Sequence, residues 1–388
     1  MKPEEMMNYI KVDDLKAGQT FTHPVYIEDD TIFIPAGVPV RDKDLDRLRS
    51  WRVDQVETEG VARDMDGFDG APENMWGLPA DEKLLSFYNK MIDRVDDILN
   101  RIRNLDRVTE KEIEEIVSSL IEIVEEKKVD AIRLVLTNSS NSKNYAKSAV
   151  NNGLLAITVG ISLNRPRHKL FQLCSGALLH DVGMQRVPQD IISLDRELDA
   201  QELKTLKTHP VYSYRIINRE LQLSEEIAQI ALQHHERWDG KGYPQGLKGT
   251  EILFEARIVS VADAFEAMVS ERPWRNSMIG YEAMKSILSD NQRRFDPEIV
   301  TIFIRAMGLY PVGSLVLLSD GSIGRVISSS EDAPLRPEII ILINSAGREF
   351  KGDTGPAIDL LNNKNLFIAR ALDIKSLIEK TMSKSDKH

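Results

Sequence analysis

The feature that most constrains this chain is a set of histidines and aspartates near its middle. Its members are His180, Asp181, His209, His234, His235 and Asp263. All six are hard or borderline ligands of divalent metal ions. The two adjacent pairs, His-Asp and His-His, are rare by chance, and four of the seven histidines of the chain belong to the set. We therefore expect the fold to gather these side chains around a cation.

The apolar spacing around these residues is helical, which places the ligands near the ends of separate helices. The predicted helices of this region are Ser142–Leu163, a ten-residue apolar helix ending at His180-Asp181, Asp199–Pro210, Ser224–His235 and Ile252–Glu271. Helical bundles build metal sites in this way, because side chains from facing helices converge on one point.

Composition limits the class of protein. The 388 residues are too many for one small domain and carry a net charge of −11. Broad nucleic-acid binding is disfavoured, because it rests on Lys and Arg neutralising phosphates. The single cysteine, Cys174, suits a reducing compartment. No apolar signal region begins the sequence, and the longest apolar run, Leu154–Leu163, is far short of the ~20 residues that span a bilayer. We expect a cytoplasmic bacterial protein that does not enter a membrane.

Breaks in the pattern predict a multidomain chain. A small N-terminal α+β module (1–60) contains strands Phe21–Val25 and Thr31–Ile34 and a helix Asp42–Trp51. The later predicted segments are a linker (61–80), a helical lead-in (81–141), the helical metal domain (142–310), a small β-rich segment (311–373) and a charged tail (374–388).

Two further groups of elements follow from the same patterns. The helical lead-in contains helices over Asp81–Asn104 and Thr109–Glu126, the second opened by a capping box between Thr109 and Glu112. Period-two alternation predicts the strands of the β-rich segment, which are Ser314–Leu318, Gly324–Ser328 and Ile339–Ile343.

The ligand set suggests phosphoryl chemistry. Two metals that share a carboxylate bridge lie ~3.5–4 Å apart and can bind a phosphoryl group while activating a water. Asp181 is the obvious bridge, with His180 and Asp263 serving one metal and the other three histidines the second. The alternative is that each histidine is an ordinary surface or core imidazole. The glycine-rich loop Asp239–Gly246 permits close approach of a ligand, but it could equally be a plain connection between helices.

These residues resemble the HD-GYP family of the HD-superfamily metal phosphohydrolases. The likeness covers about residues 143–309 and rests on HDVG at 180–183, HP at 209–210, HHERWDGKGYP at 234–244, the segment around Asp263, and RPWR at 272–275. It implies a mainly α-helical HD-superfamily bundle that hydrolyses cyclic di-GMP to linear pGpG or to GMP, with two or three iron or manganese ions.

The resemblance also implies roles for individual residues. All six residues of the set become metal ligands, and His180 and Asp181 are also the catalytic pair. Arg272 and Arg275 match positions that grip substrate phosphates, a role that suits the planar fork of arginine. The glycine-rich loop Asp239–Gly246, here called the GYP loop, contains Lys241 and Tyr243. The resemblance assigns these two residues to substrate binding.

The sequence departs from the family pattern on one side of the site. Ser148 stands where members carry a histidine, Asn144 stands where three-metal members carry a glutamate, and Met184 replaces a lysine. Milder departures are Glu266 for an aspartate and Trp274 for a tyrosine. We therefore expect two ions, or one if the side of Ser148 has lost its metal.

Three functional hypotheses stay open at this point. The first is a cyclic di-GMP phosphodiesterase with full activity or with activity reduced by the lost ligands. The second is a degraded enzyme that senses cyclic di-GMP or docks a protein partner through the GYP loop. The third is a phosphohydrolase of another cyclic dinucleotide. Homodimer formation is a further expectation that the sequence does not settle.

Overall fold

A computed structural model gives the structure of the protein. It describes residues 8–16, 19–21, 23, 25–27, 31–34, 40, 42–51, 53–59, 62–63, 82–137, 144–192, 196–270, 279–350 and 354–372. The chain divides into two compact units. One unit is Ala80–Gly313 with Ser329–Leu335, and the other combines Met1–Pro79, Ser314–Ser328 and Arg336–His388.

The first unit is helical. Its helices in the described residues are α2 (Glu82–Arg103), α3 (Glu110–Thr137), α4 (Asn144–Ser162), α5 (Arg167–Leu179), α6 (Gln189–Ile192), α7 (Ala200–Leu206), α8 (His209–Arg215), α9 (Glu225–Gln233), α10 (Phe254–Val269), α11 (Gly280–Ser289) and α12 (Pro297–Met307). A 3₁₀ turn, Val182–Arg186, follows α5, and a π turn, Ile216–Glu220, extends α8. One continuous apolar cluster runs through this unit.

Two helices, α4 and α10, form the centre of the bundle. Both are buried on nearly all sides, as in Val150–Gly160 of α4 and Ala256–Ala262 of α10. A helix that is apolar all round belongs in a core. By contrast, α2 buries one stripe, with Tyr88, Val95 and Ile102 inside and charged residues outside.

Glycines allow the helices near the metal-ligand set to pack closely. A Cβ added at Gly160 of α4 would lie 2.6 Å from a methyl group of Leu170 of α5. A Cβ added at Gly176 of α5 would lie 2.6 Å from a methyl group of Ile230 of α9. Real Cβ atoms do not approach so closely. The tip of Leu170 could turn away from a side chain at position 160, but one at position 176 would also meet the Cβ of Ile230 at 2.8 Å.

The second unit contains small antiparallel sheets. Near the N-terminus, β1 (Asn8–Lys11), β3 (Val25–Ile27), β4 (Thr31–Ile34) and β5 (Gln55–Thr58) form a sheet of order β1-β5-β3-β4, while β2 (Thr20–Phe21) pairs with β6 (Ala62–Arg63). Helix α1 (Asp42–Ser50) completes this part. The C-terminal part is a sheet of order β10-β9-β8-β7-β11, built from β7 (Leu315–Leu318), β8 (Ile323–Ser328), β9 (Glu338–Ile343), β10 (Ala357–Asp359) and β11 (Ile368–Leu372).

The predicted fold class, a helical bundle with small β-containing parts on either side in sequence, is confirmed. Several elements differ from the prediction. The single strand predicted over Phe21–Val25 is two strands, and the helix predicted to end at Glu126 continues to Thr137 with a non-helical residue at Lys127. Most of the predicted linker and the charged tail lie outside the described residues, and the domain boundaries stay predictions.

Two predicted helix starts turn out differently in detail. At Asp199 the side chain accepts the N–H groups of Gln201 and Glu202, and a capping box forms. At Thr109 the hydroxyl instead donates to the Glu112 carboxylate, which also accepts the backbone N–H of Thr109. The helix starts where expected, but only half of the capping box forms. Within the described residues, every helix is too short or too polar to cross a bilayer.

Candidate metal centre

Three histidines of the predicted set lie at helix ends. His180 directly follows α5, His234 directly follows α9, and His209 is the first residue of α8. The prediction of one helix from Asp199 to Pro210 is wrong, because α7 ends at Leu206 and a new helix begins at His209. Pro210 lies in the first turn of this new helix, where its missing N–H costs no hydrogen bond.

Each of these three imidazoles is oriented by the backbone three residues before it. The Nδ1 atoms of His180, His209 and His234 lie 2.7, 2.8 and 2.6 Å from the carbonyl oxygens of Ala177, Leu206 and Ala231. A carbonyl oxygen only accepts, so Nδ1 must carry the proton. The neutral ring then presents the lone pair of Nε2 to the interior of the site. Histidines that bind metals are commonly held in this way through their other nitrogen.

The Nε2 atoms converge on the carboxylate of Asp181. Oδ1 of Asp181 lies 3.1 Å from Nε2 of His209 and 3.6 Å from Nε2 of His234. With His235, these residues each offer one ligand atom, and the four atoms all lie within 4.8 Å of one another. The sequence prediction of a gathered ligand set is therefore met for Asp181, His209, His234 and His235.

The donor set fits a cation. Nε2 of His209 and Nε2 of His234 face each other at 3.4 Å, which opposes two lone pairs if both rings are neutral. Nε2 of His180 and Oδ1 of Asp181 are buried without a hydrogen-bond partner among the described residues. Buried polar atoms are normally satisfied. A divalent ion would satisfy these acceptors at once, because imidazole nitrogen and carboxylate oxygen are the ligands that iron, manganese and zinc take.

The electrostatics place the ligands in the protonation states that a metal requires. Burial lowers the pKa of His234, and burial together with His234 holds the pKa of His235 well below its usual range. Burial alone would raise the pKa of Asp181, but the imidazoles of His180 and His209 outweigh it and hold that pKa well below the usual range. At neutral pH His234 and His235 are therefore neutral and Asp181 is ionised, the forms that bind metals.

The backbone after Asp181 packs directly against the start of α8. A Cβ at Gly183 would lie 2.1 Å from the carbonyl oxygen of His209 and 2.5 Å from the amide nitrogen of Ser213. The Ser213 hydroxyl donates to the carbonyl of His180 at 2.6 Å and accepts the N–H of Gly183 at 2.8 Å. This contact fixes His209 relative to the His-Asp pair.

The remaining two predicted ligands form a second group beside the first. Nε2 of His180 lies 3.6 Å from Oδ2 of Asp181 and 3.6 Å from Oδ1 of Asp263. Burial lowers the pKa of His180, but the two carboxylates outweigh burial and raise it to about 9. Burial raises the pKa of Asp263, but the contact with His180 outweighs it and keeps that pKa low. Among the described residues, this half gathers three candidate ligands, His180, Asp181 and Asp263.

Ser148 does not supply a fourth ligand to this half. Its hydroxyl donates to Oε2 of Glu266 at 2.8 Å. The other oxygen of Glu266 accepts from Asn151 at 3.2 Å and from Ser270 at 2.6 Å, and Tyr88 donates to Asn151 at 2.6 Å. A buried hydrogen-bond network thus occupies the place where the family carries a metal-binding imidazole. The side chain of Asn144 lies outside the described residues, and Met184 is buried.

The GYP loop is held by one buried carboxylate. Glu236 is 2% exposed and accepts the N–H groups of three consecutive residues, Gln245 at 2.6 Å, Gly246 at 3.1 Å and Leu247 at 3.0 Å. The loop carries Tyr243, whose ring centroid lies 4.8 Å from that of His235. The loop therefore delivers an aromatic side chain to the edge of the ligand cluster.

The other predicted site residues are placed differently. Tyr243 lies beside the ligand cluster, and its role in substrate binding stays a prediction. Lys241 is exposed on the same loop, and its ammonium pairs with neither Asp181 nor Asp263. Arg272 and Arg275 lie outside the described residues.

The sequence analysis missed Ser213 and Glu236. Ser213 lies four residues after His209, one helical turn along the same face, and Glu236 directly follows the histidine pair. Those positions are the available sequence signals, but both roles depend on backbone groups that only the fold brings near.

Comparison with known families agrees with this geometry. Residues 132–299 match the model of the HD domain. This match covers the helical region that contains the ligand set, and less than half of the chain. Residues 315–380 match the model of a KOW domain associated with the HD domain, which the sequence analysis described only as a β-rich segment. The resemblance to HD-GYP proteins inferred from the motifs is confirmed.

Several characterised proteins are similar to this HD-domain chain. The cyclic di-GMP phosphodiesterase PdeB of Borreliella burgdorferi is 28% identical over 225 residues, which cover 58% of this chain and 59% of that protein. A cyclic di-GMP phosphodiesterase of Pseudomonas aeruginosa is 30% identical over 56% of this chain and 52% of its own length. The 3′3′-cGAMP-specific phosphodiesterase 2 of Vibrio cholerae is 34% identical over 32% of this chain and 24% of its own length. The match spans little more than half of the first two relatives.

Proposed function

We propose that this HD-domain protein is a metal-dependent phosphodiesterase that hydrolyses cyclic di-GMP. One observation carries the proposal: three imidazoles with inward-facing Nε2 atoms surround the carboxylate of Asp181, at least one of whose oxygens lacks a hydrogen bond. The relatives named for cyclic di-GMP hydrolysis supply the substrate class. The reaction adds water across one phosphodiester P–O bond and gives linear pGpG, and a second cleavage gives GMP.

The chemistry needs a Lewis acid. A divalent ion of iron or manganese would be held by Asp181, His209, His234 and His235, where it would polarise a phosphoryl oxygen and make hydroxide accessible near neutral pH. The chain itself fixes two of these ligands, His209 and His234, through the carbonyls of Leu206 and Ala231. The GYP loop covers one edge of the cluster with Tyr243.

The number of metal ions that we expect follows from the half of the site that contains Ser148. His180 and Asp263 supply ligands beside Asp181, but the Ser148 hydroxyl is already donated to Glu266. Even the loss of outer contacts to a ligand costs about 10–100-fold in metal affinity. The loss of a direct imidazole ligand should cost at least as much, so we propose one tightly held ion and a weak second position.

The direct test is turnover by metal-loaded protein. Purified protein loaded with manganese or iron(II) is incubated with cyclic di-GMP, and the products are separated by chromatography. We expect pGpG to accumulate with the wild-type protein and not with Asp181→Ala. If product formation by the wild-type protein does not exceed that of Asp181→Ala, the phosphodiesterase proposal is refuted.

A second candidate function is a sensor or docking module. The Ser148–Glu266 network and the buried Met184 favour it, because both remove groups that would serve metal or phosphate on one side of the pocket. It predicts that cyclic di-GMP binds in calorimetry without being cleaved. A protein partner at the GYP loop belongs to this alternative. The cGAMP-specific relative adds 3′3′-cGAMP as a substrate to be tried beside cyclic di-GMP in both assays.

A further inference from the structure

The strongest unassigned feature near the ligand cluster is Lys207. It follows α7, two residues before His209, and its side chain is exposed. Its Nζ lies 5.2 Å from the centroid of the Tyr243 ring. That ring lies 4.8 Å from the ring of His235 and 6.4 Å from the ring of His209. The Tyr243 ring is therefore a shared neighbour of the Lys207 ammonium and of two proposed metal ligands, His235 and His209.

The charge of Lys207 has no carboxylate partner among the residues that the structure describes. In the described part of the chain, no carboxylate oxygen lies within 4.0 Å of its ammonium. Arg196, by contrast, pairs with Glu202 on α7 at 2.7 Å. A cation–π contact holds the ammonium over a ring without using up its capacity to bind an anion, because the three N–H donors stay largely free.

The substrate class supplies a matching anion. A cyclic dinucleotide carries two phosphodiester groups, and a metal at Asp181 serves the one that is cleaved. The second phosphodiester group also brings a negative charge into a region rich in carboxylates. This group therefore needs a cation at some distance from the metal. Met184, in the segment after His180-Asp181, supplies none.

We propose that Lys207, held over Tyr243, binds the phosphodiester of the cyclic dinucleotide that is not being hydrolysed. This inference rests on the proposed function. The hydroxyl of Tyr243, on the ring that the ammonium contacts, supplies a second hydrogen-bond donor at the same place. Lys207 is thus a substrate-binding residue that discriminates between dinucleotides and simple phosphodiesters.

The test compares a substrate with two phosphodiester groups and one with a single group. Manganese-loaded protein is assayed with cyclic di-GMP and with bis(4-nitrophenyl) phosphate. In Lys207→Ala we expect the ratio of kcat/KM for the first over the second to fall about tenfold, mainly through KM, because one charged hydrogen bond is lost. Lys207→Arg should retain most of the ratio.

The matched control is Lys204→Ala, which removes the same charge from an exposed position on α7. It should leave the ratio and the dissociation constant of cyclic di-GMP unchanged. Calorimetry supplies the same comparison if turnover is slow, with a dissociation constant about tenfold higher in Lys207→Ala.

The outcomes separate the two proposals. If wild-type protein cleaves cyclic di-GMP but Lys207→Ala behaves like Lys204→Ala, the assignment of Lys207 is wrong and the proposed function stands. If wild-type protein neither binds nor cleaves cyclic di-GMP, the proposed function fails and the assignment of Lys207 fails with it.

Discussion

At the scale of single residues, the candidate metal ligands could be predicted from the sequence, but the groups that orient them could not. His209, His234 and His235 could be named from residue type and adjacency alone. The carbonyls that orient the rings belong to Ala177, Leu206 and Ala231, whose side chains carry no signal. Ser148 was noted as a departure from the family pattern, but its bond to Glu266 depends on how α4 packs against α10.

Gly183 is the residue on which the site geometry depends most sharply. Gly183→Ala would place a methyl group 2.1 Å from a backbone oxygen of α8, and backbone cannot rotate aside as a side chain can. We expect the free energy of unfolding to fall by roughly 3 kcal/mol, and manganese affinity to fall with it, because His209 moves away from Asp181. Denaturant unfolding and metal titration measure the two effects.

Gly153 of α4 provides the matched control. A Cβ there would lie at ordinary contact distances, 3.4 Å from Leu120 and 3.6 Å from Cys174. Since alanine is favoured over glycine inside helices by about 1 kcal/mol, Gly153→Ala should be neutral or stabilising. Equal stability of Gly183→Ala and the wild-type protein would show that the approach of the HDVG segment to α8 is less close than described.

At the scale of elements, long amphipathic helices were predictable and their interruptions were less so. The periodic segments around α2, α4, α9 and α10 were found within a few residues of their ends. The break between α7 and α8 was missed, because periodicity continues across it and only Pro210 marks the restart. Short strands such as β1 and β10 were missed because three or four residues carry too little alternation.

The GYP loop is an element whose shape depends on Glu236. Glu236→Gln replaces one acceptor oxygen by an amide that faces backbone N–H donors, so part of the three-bond anchor is lost. We expect the amides of Gln245, Gly246 and Leu247 to exchange with solvent at least about tenfold faster. Hydrogen exchange measured on metal-loaded protein gives the result without reference to activity.

The control for this element is Glu251→Gln. Glu251 accepts the N–H of Lys248 at 2.9 Å at the exposed end of the loop, outside the three anchored amides. Its replacement should leave exchange at residues 245–247 unchanged. Unchanged exchange in Glu236→Gln as well would mean that the buried carboxylate does not hold the loop.

At the scale of the whole molecule, composition and pattern gave a helical domain with small β-containing parts. The KOW match was not foreseen, because the strands of the β-rich segment carry no residue chemistry that separates one small sheet from another. The helical domain was recognisable because its function requires rare residue pairs, whereas a sheet packed on aliphatic side chains can be built from many sequences.

The number of metal ions bound by the intact chain tests the effect of the hydrogen bond from Ser148 to Glu266. We expect about one manganese or iron ion per wild-type chain. The half of the site with His180 and Asp263 lacks an imidazole ligand at position 148, because Ser148 donates its hydroxyl to Glu266. The double variant Ser148→His with Glu266→Asp should restore an imidazole and raise the content toward two. Ser148→Ala, which offers no ligand, is the control and should stay at one. Two ions in the wild-type protein would contradict this account.

The central claim, that Asp181 and three histidines hold a cation, is tested most directly by anomalous diffraction at the manganese edge from crystals grown with Mn²⁺. The account predicts a strong anomalous peak within bonding distance of Asp181, His209, His234 and His235. A well-resolved map of those four ordered side chains with no peak among them would contradict it.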